Sequence, residues 1–171
     1  MLRDATQFGA CYDSRMQTER LNLILRTRDE ALADIAAMSA DIKAQLSADW
    51  LAKLQASAHS DPWVHNFRLV LRETGQSIGS CGFKGRPDNE GVVEIAYGID
   101  PDQQGQGYAS EAAAALVGFA FDCDQVRVVR AHTLPQPNAS TRVLTKCGFL
   151  QCGEVIDPDD GPVWRWEKQR Q

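Results

Sequence analysis

Gln104-Gly105-Gln106-Gly107-Tyr108-Ala109, running straight into the alanine-rich segment 110–120, is the stretch on which the reading of this chain turns. Ala109, Ala112, Ala113, Leu116, Val117 and Ala120 recur at the period of an amphipathic helix. A short glycine loop therefore opens a buried helix, and several backbone N–H groups converge at the helix's positive end. Such an end holds a phosphate or pyrophosphate without any basic side chain. Gly105 and Gly107 lack a Cβ, so the loop can turn tightly and a ligand can approach closely. The motif is short, and an ordinary loop before an ordinary core helix satisfies it equally well. The flanking segments decide between the two.

Residues 92–99 form a strong strand on the N-terminal side of the loop, and 126–133 a second strand after the helix. A whole helix separates them, so they are expected to run parallel. Further out, Leu21, Leu23 and Leu25 alternate into a first strand, and Thr27 with Glu30 makes a capping box before a helix bearing Leu32, Ile35 and Ala36. Ser47 caps a second helix that places Trp50, Leu51 and Leu54 together. Phe67, Leu69 and Leu71 alternate, Glu73-Thr74-Gly75-Gln76 turns the chain, and 77–83 returns with Gly79 and Gly82 marking a thin or bulged strand. Asn138 starts a last helix ending at Gly148, and 150–156 with 162–168 closes the chain as a hairpin about Asp159-Asp160-Gly161. Residues 1–15 are aperiodic and read as a poorly ordered extension, leaving 16–171 as one α+β domain.

Composition narrows the function. The chain has 171 residues, 43% hydrophobic and 24% charged, with no apolar run near the ~20 residues that cross a bilayer. The net charge of −5 gives no footprint for nucleic acid and favours a cationic or amine-bearing partner. Five cysteines without C-x-x-C spacing read as core thiols of a reducing, cytoplasmic setting, and no cluster has metal-ligand spacing. The loop also lacks the lysine and hydroxyl of a P-loop and the spacing of a dinucleotide fold, which disfavours a nucleotide-binding protein.

Glu94-Ile95-Ala96-Tyr97-Gly98-Ile99-Asp100-Pro101 followed by the glycine loop resembles the acetyl-CoA motif of the GNAT N-acetyltransferases. Asn138-Ala139-Ser140, the segment 142–149 and Thr18-Glu19-Arg20-Leu21 resemble the branch of ribosomal-protein alanine and serine N-acetyltransferases. The resemblance covers roughly 18–168. It implies a three-layer GNAT fold: a central mixed, mostly antiparallel sheet with a splayed parallel strand pair, flanked by helices. It implies acetyl-CoA as co-substrate, no metal, and a small-molecule amine or a protein N-terminus as acceptor, in a monomer or homodimer.

The family pattern places the pantetheine arm between the splayed strands, against the backbone of Tyr97 and Ile99. The pyrophosphate would lie on the N–H groups of Gly105, Gln106, Gly107, Tyr108 and Ala109, beside Gln104. Asn138 matches a cofactor-side asparagine, with a plain helix cap as the alternative. An alkylamine has a pKa near ~10, so freeing its lone pair at pH 7 costs about 4 kcal/mol and a general base is useful. Glu94 is the expected base; on the alternation rule it shares a strand face with Ala96 and Gly98, and a salt-bridged strand residue is the alternative. The Tyr97 N–H is the expected oxyanion donor. Where many relatives carry a tyrosine acid this chain has Leu144, so Ser140 is the hydroxyl left to assist the leaving thiolate, or else merely a first-turn helix residue. His132 is a minor candidate, His59 and His65 read as loop or surface residues, and Trp164 and Trp166 as core. A non-catalytic acyl-CoA-binding module would keep the loop and need no base.

Overall fold

The computed structural model describes residues 15–171. Residues 1–14, nearly all of the expected extension, lie outside the described residues. The eight strands are β1 (Arg15–Gln17), β2 (Leu21–Leu25), β3 (Phe67–Leu71), β4 (Ser77–Phe83), β5 (Val92–Ile99), β6 (Val128–Thr133), β7 (Leu150–Asp157) and β8 (Gly161–Gln169). They form one sheet in the order β1-β2-β3-β4-β5-β6-β8-β7. Every neighbouring pair is antiparallel except β5 and β6. The helices are α1 (Arg28–Ala37), α2 (Ala40–Lys43), α3 (Ala48–Ala56), α4 (Tyr108–Asp122) and α5 (Ala139–Lys146), with a 3-10 turn at Pro101–Gln103.

Local chemistry explains most element ends. Thr27 and Glu30 cap α1 reciprocally, Ser47 accepts from the Trp50 N–H ahead of α3, and Asn138 with Thr141 forms a capping box on α5. Gly148, at φ +80°, ends α5 in the left-handed conformation that a Cβ disfavours. Three features were not legible beforehand. β1 pairs with β2 as an edge strand, and a short α2 intervenes before α3. β6 begins two residues later than expected, because Val126 still donates to the Cys123 carbonyl and Arg127 to that of Gly91.

The main core lies on one face of the sheet. The strand residues Leu21, Leu23, Phe67, Leu69, Ile78, Val93 and Ile95 pack with Ala112, Ala113, Leu116 and Ala120 of α4 and Leu144 of α5. Trp63 joins them through ring contacts with Phe83 and Phe119. Across the sheet, Ala31, Leu54 and Val64 make a smaller cluster with Leu32, Ile35 and Trp50. Three layers result, with the helices placed as the resemblance implied.

His65 corrects a sequence expectation: it is fully buried rather than on a surface loop. Nε2 lies 2.6 Å from Ser57 Oγ, which itself donates to the Leu54 carbonyl at 2.7 Å. Nδ1 lies 3.2 Å from the Asp61 N and 3.1 Å from the Arg26 carbonyl oxygen. The ring is thus a neutral tie between α3 and the chain entering β3. Burial pushes its pKa below the ordinary 6.5, against an upward pull from the Arg26 carbonyl and Asp61; Arg28 and His59 add to the lowering. The unfolded chain therefore binds this proton more readily than the folded one. The stability that the neutral ring confers is complete above pH ~6.5 and is lost as pH falls through the lowered folded value. Thermal melts of wild type and His65→Gln between pH 8 and 5 check this: the wild-type melting temperature falls more steeply below pH 6.5, because glutamine does not titrate.

Candidate functional site

The loop ahead of α4 has the geometry of an anion cradle. Gly105 and Gly107 sit at φ +77° and +86°, and Gly107 is the N-cap of α4 without any side-chain cap. The N–H groups of Gly105, Gln106, Gly107, Tyr108 and Ala109 make no hydrogen bond to any described residue; the first donation into the helix is from Glu111 to the Gly107 carbonyl. By contrast α1, α3 and α5 are all closed by side chains. Five donors at the positive end of a 15-residue helix suit a pyrophosphate. The Gln104 side chain turns away from the cradle and donates to the Ile99 carbonyl at 2.9 Å, tying the loop to the end of β5.

β5 and β6 pair only at Val92↔Val128, Val93↔Val129 and Glu94↔Arg130, and then part. Both strands keep their outer partners: β5 pairs with β4 up to Ile99, and β6 with β8 through Thr133. Lys84 N donates to Glu94 O, and Asp100 N to Ile78 O, so the even-numbered backbone groups of β5 face β4. The odd-numbered ones, Ile95, Tyr97 and Ile99, face the opening. An extended chain bearing amides can pair with them as an added strand would.

Side-chain alternation sets the two sides of that opening apart. Val93 and Ile95 point into the core beneath α4, whereas Val92, Glu94 and Ala96 line a cavity of about 520 Å³ on the other face. Its walls come from α3 (Trp50, Lys53), the end of β4 (Gly82, Phe83) with Lys84 just beyond it, Arg130 of β6, Asp157 at the end of β7, and Asp159 and Asp160 of the β7–β8 turn. Glu94 Oε1 lies 2.6 Å from Lys84 Nζ and 3.0 Å from His132 Nδ1, and the same ring nitrogen is 3.9 Å from Asp157 Oδ2. Burial raises the Glu94 pKa, but the hydrogen bonds from His132 and Lys84 outweigh it, and the carboxyl sits below its ordinary 4.5. Lys84 is held charged in turn: burial lowers its pKa, and the Glu94 carboxylate more than reverses this. Glu94 is therefore an ionised carboxylate in the wall of the cavity.

On the opposite face the Tyr97 phenol reaches α5. Its hydroxyl is sealed from solvent beside Ser140 without hydrogen-bond geometry to it, and burial raises its pKa far above the ordinary 10. Leu144 is fully buried in the core. Asn138 spends its Oδ1 on the Thr141 N–H at 3.0 Å, and its amide N–H₂ has no partner among the described residues. Trp166 is buried and donates to Thr133 Oγ1, Trp164 lies on the same strand face, and Trp63 is core; only Trp50 of the four tryptophans reaches the cavity. Among the described residues no group of three or more His, Cys, Asp or Glu could hold a metal ion, and no helix is long and apolar enough to cross a membrane.

The chain belongs to the GNAT acetyltransferase family: the family model for the acetyltransferase (GNAT) domain matches residues 15–150. It is similar to the uncharacterized N-acetyltransferase p20 of Bacillus licheniformis, 29% identical over 94 residues, 55% of this chain and 53% of that protein. The chain thus aligns with about half the length of the curated relatives it matches. The ribosomal-protein-S5-alanine acetyltransferase of Vibrio fischeri shares the fold at a TM-score of 0.66 and 15% identity, over 92% of this chain and 97% of that one. The aminoglycoside acetyltransferase AAC(6')-Ib, in complex with coenzyme A and kanamycin, does so at 0.64 and 22%, over 88% and 95%.

The fold thus brings Glu94, Tyr97, Ile99 and the glycine loop around one opening. It also couples His132, which the sequence offered only as a minor candidate, directly to Glu94. Register was the missing signal, since the two residues lie 38 positions apart on strands whose pairing ends at Glu94↔Arg130. Gly107→Ala tests the cradle. Alanine at φ +86° is strained by roughly 1–3 kcal/mol, and its Cβ would stand 3.3 Å from Arg20 Nη2. The expected result is a melting temperature lower by several degrees, at ~2–4 °C per kcal/mol, together with weaker coenzyme A binding by calorimetry.

Proposed function

We propose that this chain transfers the acetyl group of acetyl-CoA to a primary amine by direct attack in a ternary complex. The observation that carries this reading is the parting of β5 and β6 between an uncapped glycine loop on one side and a carboxylate-lined cavity on the other. The pyrophosphate would sit on the N–H groups of residues 105–109. The pantetheine amides would pair with the backbone of Tyr97 and Ile99, which places the thioester at the mouth of the cavity.

Glu94 accepts a proton from the acceptor's ammonium, directly or through water, and the neutral amine attacks the thioester carbonyl carbon. A C–N bond forms, the oxyanion takes a hydrogen bond from the Tyr97 N–H, and the C–S bond then breaks as the nitrogen's surplus proton passes through water to the departing sulfur, leaving the acetamide and coenzyme A. With Leu144 buried, Ser140 at the head of α5 is the hydroxyl available to the sulfur. A thiolate of pKa ~8.5 also leaves without an acid. The amine-facing wall mixes Lys84 and Arg130 with Asp157, Asp159 and Asp160, which suits an amine whose neighbouring groups are polar. Both a protein N-terminus and a polyfunctional small-molecule amine meet that description.

Two experiments test the reading. Thermal-shift titrations with acetyl-CoA, coenzyme A, ATP and NAD are expected to stabilise the protein only with the two coenzyme A species. At about 100 times Kd the gain is roughly 2.7 kcal/mol, hence several degrees. A thiol-release screen over amines then supplies an acceptor, on which Glu94→Gln is expected to lower kcat/KM by about 10²- to 10⁴-fold with the coenzyme A shift intact. Unchanged turnover would remove Glu94 as the base. Coenzyme A binding without turnover of any amine would favour a non-catalytic acyl-CoA-binding module.

A further inference from the structure

The cradle has an outer support that the proposed chemistry does not use. Arg20, immediately before β2, donates from Nε to Glu111 Oε2 at 2.8 Å and from Nη1 to the Gln106 carbonyl at 2.9 Å. Its own backbone N–H donates to Glu111 Oε1 at 2.8 Å, and the Thr18 hydroxyl donates to that same oxygen. The guanidinium lies 4.6 Å from the centroid of the Tyr108 ring. Arg72 secures the segment from behind, with Nη1 donating to the carbonyls of Thr18 and Glu19 at 2.8 and 3.0 Å. One planar fork therefore grips the glycine loop, the first residue of α4 and a carboxylate in that helix's first turn.

We propose that Arg20 is a positioning residue for the cofactor cradle, holding the loop 105–109 in its anion-binding conformation before the ligand arrives. This rests on the reading of that loop as the acetyl-CoA pyrophosphate site. Two physical effects combine. By fixing the Gln106 carbonyl on the outside of the turn, Arg20 leaves the loop N–H groups facing inward, so ligand binding need not order a loop that contains two glycines. It also neutralises Glu111, a carboxylate close to where two phosphate charges would lie. Burial raises the Glu111 pKa, but the donors from Thr18 and Arg20 outweigh it, so this residue is ionised and would otherwise repel the ligand. Arg20 acts through the loop and through Glu111, and makes no contact with the acetyl group.

The two-point grip separates this role from a simple charge effect. Lysine keeps the charge but lacks the planar fork whose Nε and Nη1 reach Glu111 and the Gln106 carbonyl in fixed directions. Calorimetric titration of wild type, Arg20→Ala and Arg20→Lys with coenzyme A, and with pantetheine, which lacks the pyrophosphate, provides the test. The expected result is that both variants raise Kd for coenzyme A about tenfold or more, the equivalent of ordering roughly one backbone residue on binding. Pantetheine affinity stays within twofold of wild type. Coenzyme A affinity within twofold of wild type in Arg20→Ala overturns the proposal, and so does full rescue by lysine, which would make Arg20 a bare charge. Parallel loss of both ligands overturns it too, because that would be general damage to the fold. A wild-type protein that binds no coenzyme A overturns the acetyl-CoA reading itself, a result distinct from any behaviour of the Arg20 variants.

Discussion

After Glu94 and Arg130 the two central strands stop pairing, and the rest of the structure depends on how that rupture is tolerated. A strand edge in the middle of a sheet leaves backbone donors and acceptors exposed on both sides, a costly state if water is excluded and nothing replaces the ladder. Here each strand is secured by its outer neighbour. β5 runs against β4 through five registered positions, and β6 against β8 through six. Gly79 of β4 shows how close the first contact is, because a Cβ there would stand 2.1 Å from the Gly98 carbonyl oxygen. The outer pairings are tight, the inner one is open, and the opening lies beside the uncapped end of α4.

Two different electrostatic environments flank this opening. On the α4 side the fixed charges of Arg20 and Glu111 cancel, so the partial positive charge at the helix N-terminus is what an anion meets. On the cavity side Lys84, Glu94, His132 and Asp157 are linked in one chain of polar contacts. A carboxylate embedded in such a chain stays ionised and oriented. Its lowered pKa makes it a weaker base than a free glutamate, while its two donors fix the direction in which the carboxylate points.

The elements of the fold were largely legible, because period and punctuation are local properties. The alternation in 92–99, the helical recurrence from Ala109 to Ala120 and the Thr27–Glu30 box each specify an element within a dozen residues, and each appears at its expected place. The glycine loop was legible for the same reason. β1 was not, since three residues at a sheet edge carry no period of their own and exist only through pairing with β2. His65 lies in a loop, as a histidine beside Asp61 and Pro62 suggests, but not at the surface; its ring is held by Ser57 and by Arg26, 39 positions away.

What the sequence alone determined is the order of elements, the cradle of N–H groups and the face of β5 on which Glu94 lies, since all of these follow from backbone geometry over a few residues. Tertiary structure decided where the β5–β6 pairing ends, which partners hold Glu94, that the Tyr97 phenol is sealed against α5, and that Arg20 braces a loop 86 positions away. These depend on strand register and on the seating of a helix against the sheet. Both are settled by the packing of the whole core, to which no short window of sequence has access.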